Sequence, residues 1–547
     1  MAKKFAPKNG RHLKLLKILV IVGLALAWAW GPQPTWADNY LVAAKKPKKA
    51  EAKKSVKPKG QKPKPKAKPK SSSKTQKSRK PQRSRVKAQS EPDPETLPFP
   101  ENVKTMAGAG AVLVADNHVG QGQSRELFSL NADEKYTPAS ILKVVTAGAA
   151  LDSLGLGFRF RTDFYLDSAK NLWIVGRGDP FLVAEEICLI MEKLRQAGLR
   201  EVKDIYLDSS YFESGLILDG NTFTNNPYDA YNLAIGVNFN TVNYLIDQNG
   251  KIVECHPCAP LTPITVEVAE RNRPKKRRKD RVPREYRLNI SSSPEDAEKN
   301  SGQMFQALLE RFQITVTGQV IIGQTLPNKT KLIYSHLSSK TLEEMIKELL
   351  KHSNNYVTNQ IFLTMGAEKY GAPATPAKAQ QVVKDFLAKY KLPDITMVEG
   401  SGLSRQNSLT ARQMARILGT LEPVRELFNS TDDGSVYYKT GTMSDIQTLA
   451  GYLTRPDRLN EPLSFVILLN GTYKPGSREK ILKALKAQFV GPDEENAPTS
   501  SSSYSLKGRS SQSPDKQSKA KIEPPKPPAP KKPVAGAGLF APTEPAL

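Results

Sequence analysis

Three short motifs carry side chains that could do chemistry together. The first is Ser140-Ile141-Leu142-Lys143, where Lys143 is the only charged residue between Ile141 and Leu151. One helical turn puts the Ser140 hydroxyl and the Lys143 amine on the same face. An amine held among apolar side chains binds its proton less tightly, because desolvation disfavours the charged form. Once neutral, it could take the serine's proton and make the hydroxyl a nucleophile. The helix N-terminus would add partial positive charge near the reacting centre. The plain alternative is a helix start with a lysine that snorkels to water. Ser-x-x-Lys recurs elsewhere, at Ser71/Lys74, Ser84/Lys87, Ser477/Lys480, Ser513/Lys516 and Ser518/Lys521. Four of these lie in low-complexity segments, and Ser477 reads as a cap of the last helix.

The second motif is Ser353-Asn354-Asn355 and the third is Lys439-Thr440-Gly441-Thr442. Ser353 and Asn355 lie between two helices and could project into a cleft, or simply cap the second helix. Lys439, Thr440 and Thr442 would present a cation and hydroxyls to a carboxylate, with Gly441 allowing a substrate backbone to come close. The alternative is an edge strand that ends in a turn. The chain order of the three motifs carries more information than any one of them.

The elements that must position these groups can be read coarsely. Ala111–Val114 reads as a strand and Ile141–Leu151 as a buried helix bounded by Pro138 and Gly155. Residues 161–329 change character. Short β-like runs (Leu172–Val175, Thr241–Leu245, Ile264–Val268, Val316–Ile322) alternate with Gly, Pro, Asn and Asp, which suggests a β-rich inserted domain. Helices are expected over Thr341–Lys351, Tyr356–Lys369, Pro376–Tyr390 (capped by Thr375) and Ala411–Leu418. Strands follow at Val436–Thr440, Thr448–Thr454 and Leu463–Leu469, then a helix at Arg478–Phe489. The body thus reads as a discontinuous catalytic domain, 93–160 and 330–492, interrupted by the insertion.

Charge separates the body from its tails. The chain has 547 residues and a formal net charge of +27. Residues 1–90 hold 26 Lys/Arg against two acids, and 496–547 hold eight against three, which leaves the middle at −2. A mildly acidic body with cationic tails is not a nucleic-acid-binding domain. Residues 1–37 read as a signal peptide: basic residues, then an uncharged Ile18–Gly31 core, then a Thr35-Trp36-Ala37 cleavage site. An uncleaved N-terminal anchor is the rival reading. Either places the body outside the cytoplasmic membrane, in the periplasm or beyond. The 38–92 segment reads as a Lys/Pro-rich disordered linker; within it, 45–87 holds 20 Lys/Arg and one acid. It is a solvated spacer or an arm for anionic wall or membrane groups. The 493–547 tail is low-complexity. Arg271–Arg287, with ten basic residues and two acids, reads as an exposed loop. Among three cysteines, the Cys255-x-x-Cys258 spacing suggests a short-loop disulfide in an exported protein, with a redox site as the second reading. No metal-ligand spacing is present.

Longer segments sharpen the reading. Tyr136–Ala147 around the first motif, Gly176-Arg177-Gly178-Asp179-Pro180, Ala234–Asn240 and Glu399-Gly400-Ser401-Gly402-Leu403-Ser404-Arg405 resemble segments of one family. This is the D-alanyl-D-alanine carboxypeptidase/endopeptidase family of class C low-molecular-mass penicillin-binding proteins, peptidase S13. In the last segment Glu399 stands where the family signature has Asp. The resemblance implies a mixed α/β fold, with an antiparallel sheet flanked by helices, plus the inserted domain. It implies acyl-enzyme chemistry on peptidoglycan stem peptides, with Ser140 as nucleophile and Lys143 as general base. Ser353 would relay the proton, and Asn355 would hold the substrate amide. Lys439, Thr440, Gly441 and Thr442 would form the carboxylate site. Backbone N–H groups of Ser140 and Thr442 would form the oxyanion hole. β-Lactams would acylate the same serine, and no metal or cofactor is implied. Some members use an acidic residue of the insertion to hold a diamino acid's amine; Asp219 and Asp229 are the candidates here. Two other readings stay open: a β-lactamase or esterase on the same scaffold, and a non-catalytic wall-binding protein.

Overall fold

The structure is a computed structural model. It describes residues 94–118, 124–256, 258–274, 283–290, 293–323 and 325–491. The signal peptide, the 45–87 arm, the C-terminal tail and the centre of the Arg271–Arg287 loop lie outside the described residues.

The chain opens with helix α1 (Glu101–Ala107), strands β1 (Ala111–Asp116) and β2 (Arg125–Leu130), and helix α2 (Leu142–Leu154). The inserted segment follows, with β3 (Arg161–Leu166), β4 (Leu172–Gly176), α3 (Ala184–Gln196) and β5 (Ile205–Asp208). It continues with β6 (Thr241–Ile246), α4 (Pro263–Arg271), β7 (Arg284–Asn289), α5 (Pro294–Arg311), β8 (Val320–Ile322) and β9 (Lys331–Leu337). Four helices come next: α6 (Leu342–His352), α7 (Asn355–Tyr370), α8 (Pro376–Lys389) and α9 (Ala411–Leu421). The body closes with β10 (Val436–Met443), β11 (Ile446–Arg455), β12 (Arg458–Asn470) and α10 (Ser477–Phe489).

The main sheet is antiparallel, with a two-residue edge strand (Asn429–Ser430) followed in order by β10, β11, β12, β1 and β2. Its central strands are buried on both faces, so side chains alternate between two cores. Leu113, Ala450, Tyr452, Val466 and Leu468 face the helical layer of α2, α7, α8 and α9. Val112, Val114, Leu449, Phe465 and Ile467 face α1 and α10. α2 is buried at every position from Leu142 to Ala150, and α7 at every position from Tyr356 to Ala367. A helix buried all round has no solvent face to which a lysine could escape.

The insertion departs from the β-rich expectation. Its five-stranded sheet (β8-β5-β4-β3-β9) is mixed, with β8, β5 and β4 parallel. Three helices accompany it. Ile264–Val268, expected as a strand, is α4 instead: Thr262 Oγ1 accepts from Thr265 N at 3.1 Å, and Pro263 takes the first helical position. Ile264, Thr265, Val268 and Ala269 are buried at helical spacing, which overrides their β-branched preference. Val316–Ile322 divides into Thr315–Val316 and β8. Gly318 separates them, and a side chain there would strike Asp204. β9 pairs with β3, so the inserted sheet reaches past residue 330, to Leu337. Ser477 does not cap α10; Gly476 occupies the cap position and Ser477 is the first helical residue.

The disulfide also differs from the expected pair. Cys258 is bonded to Cys188 of α3, with their Cα atoms 6.2 Å apart, and Cys255 is free. The loop after residue 253 turns Cys258 inward against α3, where both bonded cysteines sit in the insertion's core. Among the described residues no helix is long and apolar enough to cross a membrane. Non-reducing peptide mapping should recover the Cys188 and Cys258 peptides linked, with Cys255 recovered as an alkylated free thiol. A Cys255–Cys258 peptide as the main species would contradict this pairing.

Candidate active site

Lys143 is 0% exposed, and its Nζ lies 3.0 Å from Ser140 Oγ. The same nitrogen donates to Asn355 Oδ1 at 2.8 Å and to the Ser401 carbonyl at 2.6 Å. Burial brings its pKa down from 10.5 to about 7, with the Glu399 carboxylate pulling the other way. A neutral amine has two N–H donors and one lone pair. Two fixed acceptors, Asn355 and Ser401, can take the donors, which turns the lone pair toward the Ser140 hydroxyl.

Ser140 is held by the turn before α2. Ala139 has φ +48°, a strained value for a residue with a side chain. Neighbours from the sheet fix this turn. Asn470 Oδ1 accepts from Thr137 N at 2.8 Å, and Thr448 Oγ1 donates to the Pro138 carbonyl at 2.7 Å. A Cβ on Gly441 would lie 2.9 Å from Ser140 N and 2.2 Å from Thr448 Oγ1, so β10 can run beside the nucleophile only with glycine there.

α6 ends in a left-handed Ser353 (φ +55°, ψ +36°). Asn354, not Ser353, caps α7, its Oδ1 accepting from Val357 N at 3.1 Å. That leaves Ser353 and Asn355 free to enter the site. Lys439 is 1% exposed, and its Nζ donates to Ser353 Oγ at 2.9 Å and to the Thr440 carbonyl at 2.7 Å. Burial pushes its pKa well below the ordinary value, and the charges of Lys143 and Arg478 push the same way. Ser140, Lys143, Ser353, Asn355, Lys439, Thr440, Gly441 and Thr442 therefore form one cluster.

Sequence reasoning missed two contributors. Arg478, at the start of α10, donates through Nη1 to the Gly441 carbonyl and Thr442 Oγ1, each at 3.2 Å. Its only sequence signal was a basic residue following the last strand. The second is Glu399, buried and fully occupied. Oε1 accepts from the backbone of Gly402, Leu403 and Ser404 and from Asn407; Oε2 accepts from Ser401 and Asn359. This carboxylate shapes the loop that offers the Ser401 carbonyl to Lys143. Gly402 has φ +81°, and a Cβ on it would lie 1.9 Å from the Ala139 carbonyl. The loop therefore presses directly on the nucleophile turn.

Beside Asn355 lies a small recess lined by Leu216, Asp219, Tyr228, Tyr231 and Leu403 among others. Asp219 stands on its wall and is hydrogen-bonded to Ser404 Oγ. Asp229 is enclosed within its own loop by Thr222 and Thr224, so its carboxylate has no face toward the recess. Among the described residues no group of three or more His, Cys, Asp or Glu could hold a metal.

This fold and cluster are those of a serine hydrolase of the penicillin-binding-protein type. The chain belongs to the D-Ala-D-Ala carboxypeptidase 3 (S13) family, whose model matches residues 109–424. It is 28% identical over 429 residues to a D-alanyl-D-alanine carboxypeptidase of Actinomadura sp., across 66% of this chain and 78% of that one. It is 26% identical over 429 residues to the D-alanyl-D-alanine carboxypeptidase DacB of Haemophilus influenzae, across 67% and 87%. Penicillin-binding protein 4 (dacB) of Haemophilus influenzae shares the fold, with a TM-score of 0.58 at 21% identity over 72% of this chain and 100% of that one.

Replacing Glu399 by Gln would aim an N–H₂ at groups that are themselves donors. Glu399→Gln should lower unfolding stability by roughly 2–3 kcal/mol, the cost of leaving buried donors unpaired. Denaturant melts with unchanged slope would measure it, and a loss below about 0.5 kcal/mol, the range of ordinary surface changes, would refute the role.

Proposed function

We propose that this chain is an exported serine DD-peptidase that cleaves D-Ala–D-Ala bonds and D-Ala cross-links of peptidoglycan stem peptides through a Ser140 acyl-enzyme. The observation that carries the reading is the fully buried Lys143 amine, 3.0 Å from Ser140 Oγ and brought to a pKa of about 7. A general base poised near neutrality suits proton abstraction from a serine hydroxyl.

In this mechanism the stem peptide's terminal carboxylate meets Lys439, Thr440 and Thr442, braced by Arg478. Asn355 holds a substrate amide. Ser140 Oγ attacks the D-Ala carbonyl while Lys143 Nζ takes its proton. The developing oxyanion is met by the backbone N–H groups of Ser140 and Thr442, aimed at charge that appears only in the transition state. The proton that Lys143 took is then handed through Ser353, itself in contact with Lys439, to the leaving amine, which returns Lys143 to its neutral form. Water then attacks the ester and frees Ser140. β-Lactams carry a carboxylate and a strained amide and would acylate the same serine; the Haemophilus influenzae relative is known in complex with a β-lactam. The 45–87 arm, with 20 Lys/Arg against one acid, supports electrostatic retention at anionic wall or membrane groups outside the cytoplasm.

A fluorescent penicillin should label the folded protein covalently on a denaturing gel, and Ser140→Ala should abolish the band. The labelling rate should rise with pH through about 7 and then level off, because the deprotonated Lys143 is the active form. Lys143→Met should slow it by about 10²–10⁴-fold, the usual worth of a general base. Persistence of the band in Ser140→Ala, or a rate that falls as pH rises through 7, would refute the assignment.

Arg478→Gln should raise KM for a D-Ala–D-Ala peptide by about tenfold with a smaller change in kcat, the signature of lost ground-state binding. Steady-state kinetics on a stem pentapeptide measures the split, and an unchanged KM would remove Arg478 from the carboxylate site.

A further inference from the structure

Two helices supply side chains that meet at the base, and each carries a second polar residue one turn further on. On α2, Thr146 follows Lys143 by three residues; on α7, Asn359 follows Asn355 by four. Such spacings share one helix face. Thr146 and Asn359 are both buried, and both hold the strap from Glu399 to Ser401. Thr146 Oγ1 donates to the Gly400 carbonyl at 2.7 Å, and Asn359 Oδ1 accepts from Gly400 N at 2.8 Å. The strap has no slack against α7: a Cβ on Gly400 would lie 2.7 Å from Phe362 Cβ.

Two peptide planes flank Ser401. The plane after it gives its N–H, on Gly402, to Glu399 Oε1 at 2.7 Å, and its carbonyl accepts from Lys143 Nζ at 2.6 Å. The plane before it gives its N–H, on Ser401, to Glu399 Oε2 at 2.7 Å. Its carbonyl, on Gly400, takes the Thr146 hydroxyl. Glu399 thus fixes both N–H ends, and Thr146 fixes the carbonyl end that does not meet the base. A buried carbonyl stripped of its donor is costly. Rotation of its peptide plane is the direct relief, because peptide units turn only about their Cα atoms. Rotation of the first plane turns Ser401 and carries the second carbonyl off Lys143. α2 therefore presents the amine and, one turn later, anchors the acceptor that orients it.

We propose that Thr146 is a positioning residue for the acylation step, holding the Gly400–Ser401 peptide so that the Ser401 carbonyl turns the Lys143 amine toward Ser140. The inference rests on the DD-peptidase reading of Ser140 and Lys143 and adds a residue to it. The competing role is structural alone, a hydroxyl that satisfies a buried carbonyl. The two roles differ at Lys143. In the protonated form its three hydrogens have three acceptors: Ser140 Oγ, Asn355 Oδ1 and the Ser401 carbonyl. Displacing one acceptor disfavours the charged form, so the amine gives up its proton at lower pH. It also frees the nitrogen to rotate, so its lone pair meets the Ser140 hydroxyl less often. The charged groups that act on this amine, Glu399 and the neighbouring Lys439, stay in place when only the Thr146 hydroxyl is removed. A structural hydroxyl would change stability and leave both properties of the folded protein alone.

The test uses the full chain as wild type, Thr146→Val and Thr146→Ser. Valine keeps the shape and β-branching and loses the hydroxyl; serine keeps the hydroxyl. Two quantities are followed against pH: the rate of acylation by a fluorescent penicillin, and the titration of the Lys143 side chain by NMR of protein carrying ¹³C-labelled lysine. The Lys143 resonance is assigned by its absence in Lys143→Met. Thr146→Val should move both midpoints down by about one pH unit, the scale of one hydrogen bond to a charged group. The plateau rate should fall by about tenfold, and Thr146→Ser should restore rate and midpoint. An unchanged Lys143 midpoint in folded Thr146→Val overturns the proposal, whatever the rate, and so does a serine variant that behaves like the valine one. Should Thr146→Val not fold, Thr146→Ala is read in the same way; failure of both to fold assigns the hydroxyl a structural role and overturns the proposal. A shifted Lys143 midpoint in a protein that no penicillin acylates supports the positioning of the amine and overturns the peptidase reading. Labelling of Ser140 with rate and midpoint indifferent to Thr146 does the reverse.

Discussion

A primary amine taken wholly out of water organises this molecule. Lys143 has no solvent exposure, and desolvation is the largest influence on its pKa. Such a group is tolerable only if its hydrogens are received by fixed acceptors. Those acceptors come from distant parts of the chain: Asn355 from the first turn of α7, and Ser401 from the loop around Glu399. The requirement to satisfy one nitrogen therefore joins three segments. A fourth, β10, enters because Gly441 lets its backbone pass beside Ser140 N. Catalytic geometry and structural integrity are here the same set of contacts.

The strained parts of the site fit this account. Ala139 at φ +48° and Ser353 at φ +55° are unfavourable alone. Ala139 is held from two sides, by Asn470 and Thr448 of the sheet and by the Glu399 loop pressing through Gly402. Ser353 is held by its N–H, which donates to the Leu349 carbonyl at 2.8 Å, and by Lys439 on its hydroxyl. Glu399 is the most heavily used acceptor in the region. It never touches Ser140, yet it sets where the Ser401 carbonyl lies and so how Lys143 is oriented.

Much of this was legible in the sequence, for definable reasons. Lys143 announced itself as a lone charge in an apolar run, and burial of α2 on every side is what that run means. Thr375 and Pro376 marked the start of α8 because capping chemistry is local. What stayed hidden depended on contacts distant in sequence. Arg478 is separated from Gly441 by 37 residues and looked like any basic residue at a helix start. Cys188 and Cys258 are 70 residues apart, and spacing favoured the nearer Cys255. α4 was misread because Ile, Thr and Val suit strands, although Thr262-Pro263 already carried a helix-start signal. Glu399 was noticed as a departure from a signature, but its many partners could be counted only in three dimensions.

The two buried lysines divide the electrostatic work. Lys439 lies near both Lys143 and Arg478, and their charges add to its desolvation in disfavouring protonation. Lys143 has in addition the Glu399 carboxylate, which pulls it back toward protonation. An empty site is therefore short of negative charge on the Lys439 side. An arriving carboxylate supplies it there, which stabilises protonated Lys439 beside Thr440, Thr442 and Arg478. That same carboxylate would raise the pKa of Lys143 far less, because Coulomb energy falls with distance and Lys143 already has its own acid. Substrate also covers the mouth of the cleft, and added desolvation acts on Lys143 in the opposite direction. Carboxylate recognition and base strength can thus improve together on binding, although both depend on amines of the same kind. A single lysine could not serve both purposes, since pairing it with the carboxylate would hold the proton that the reaction needs removed.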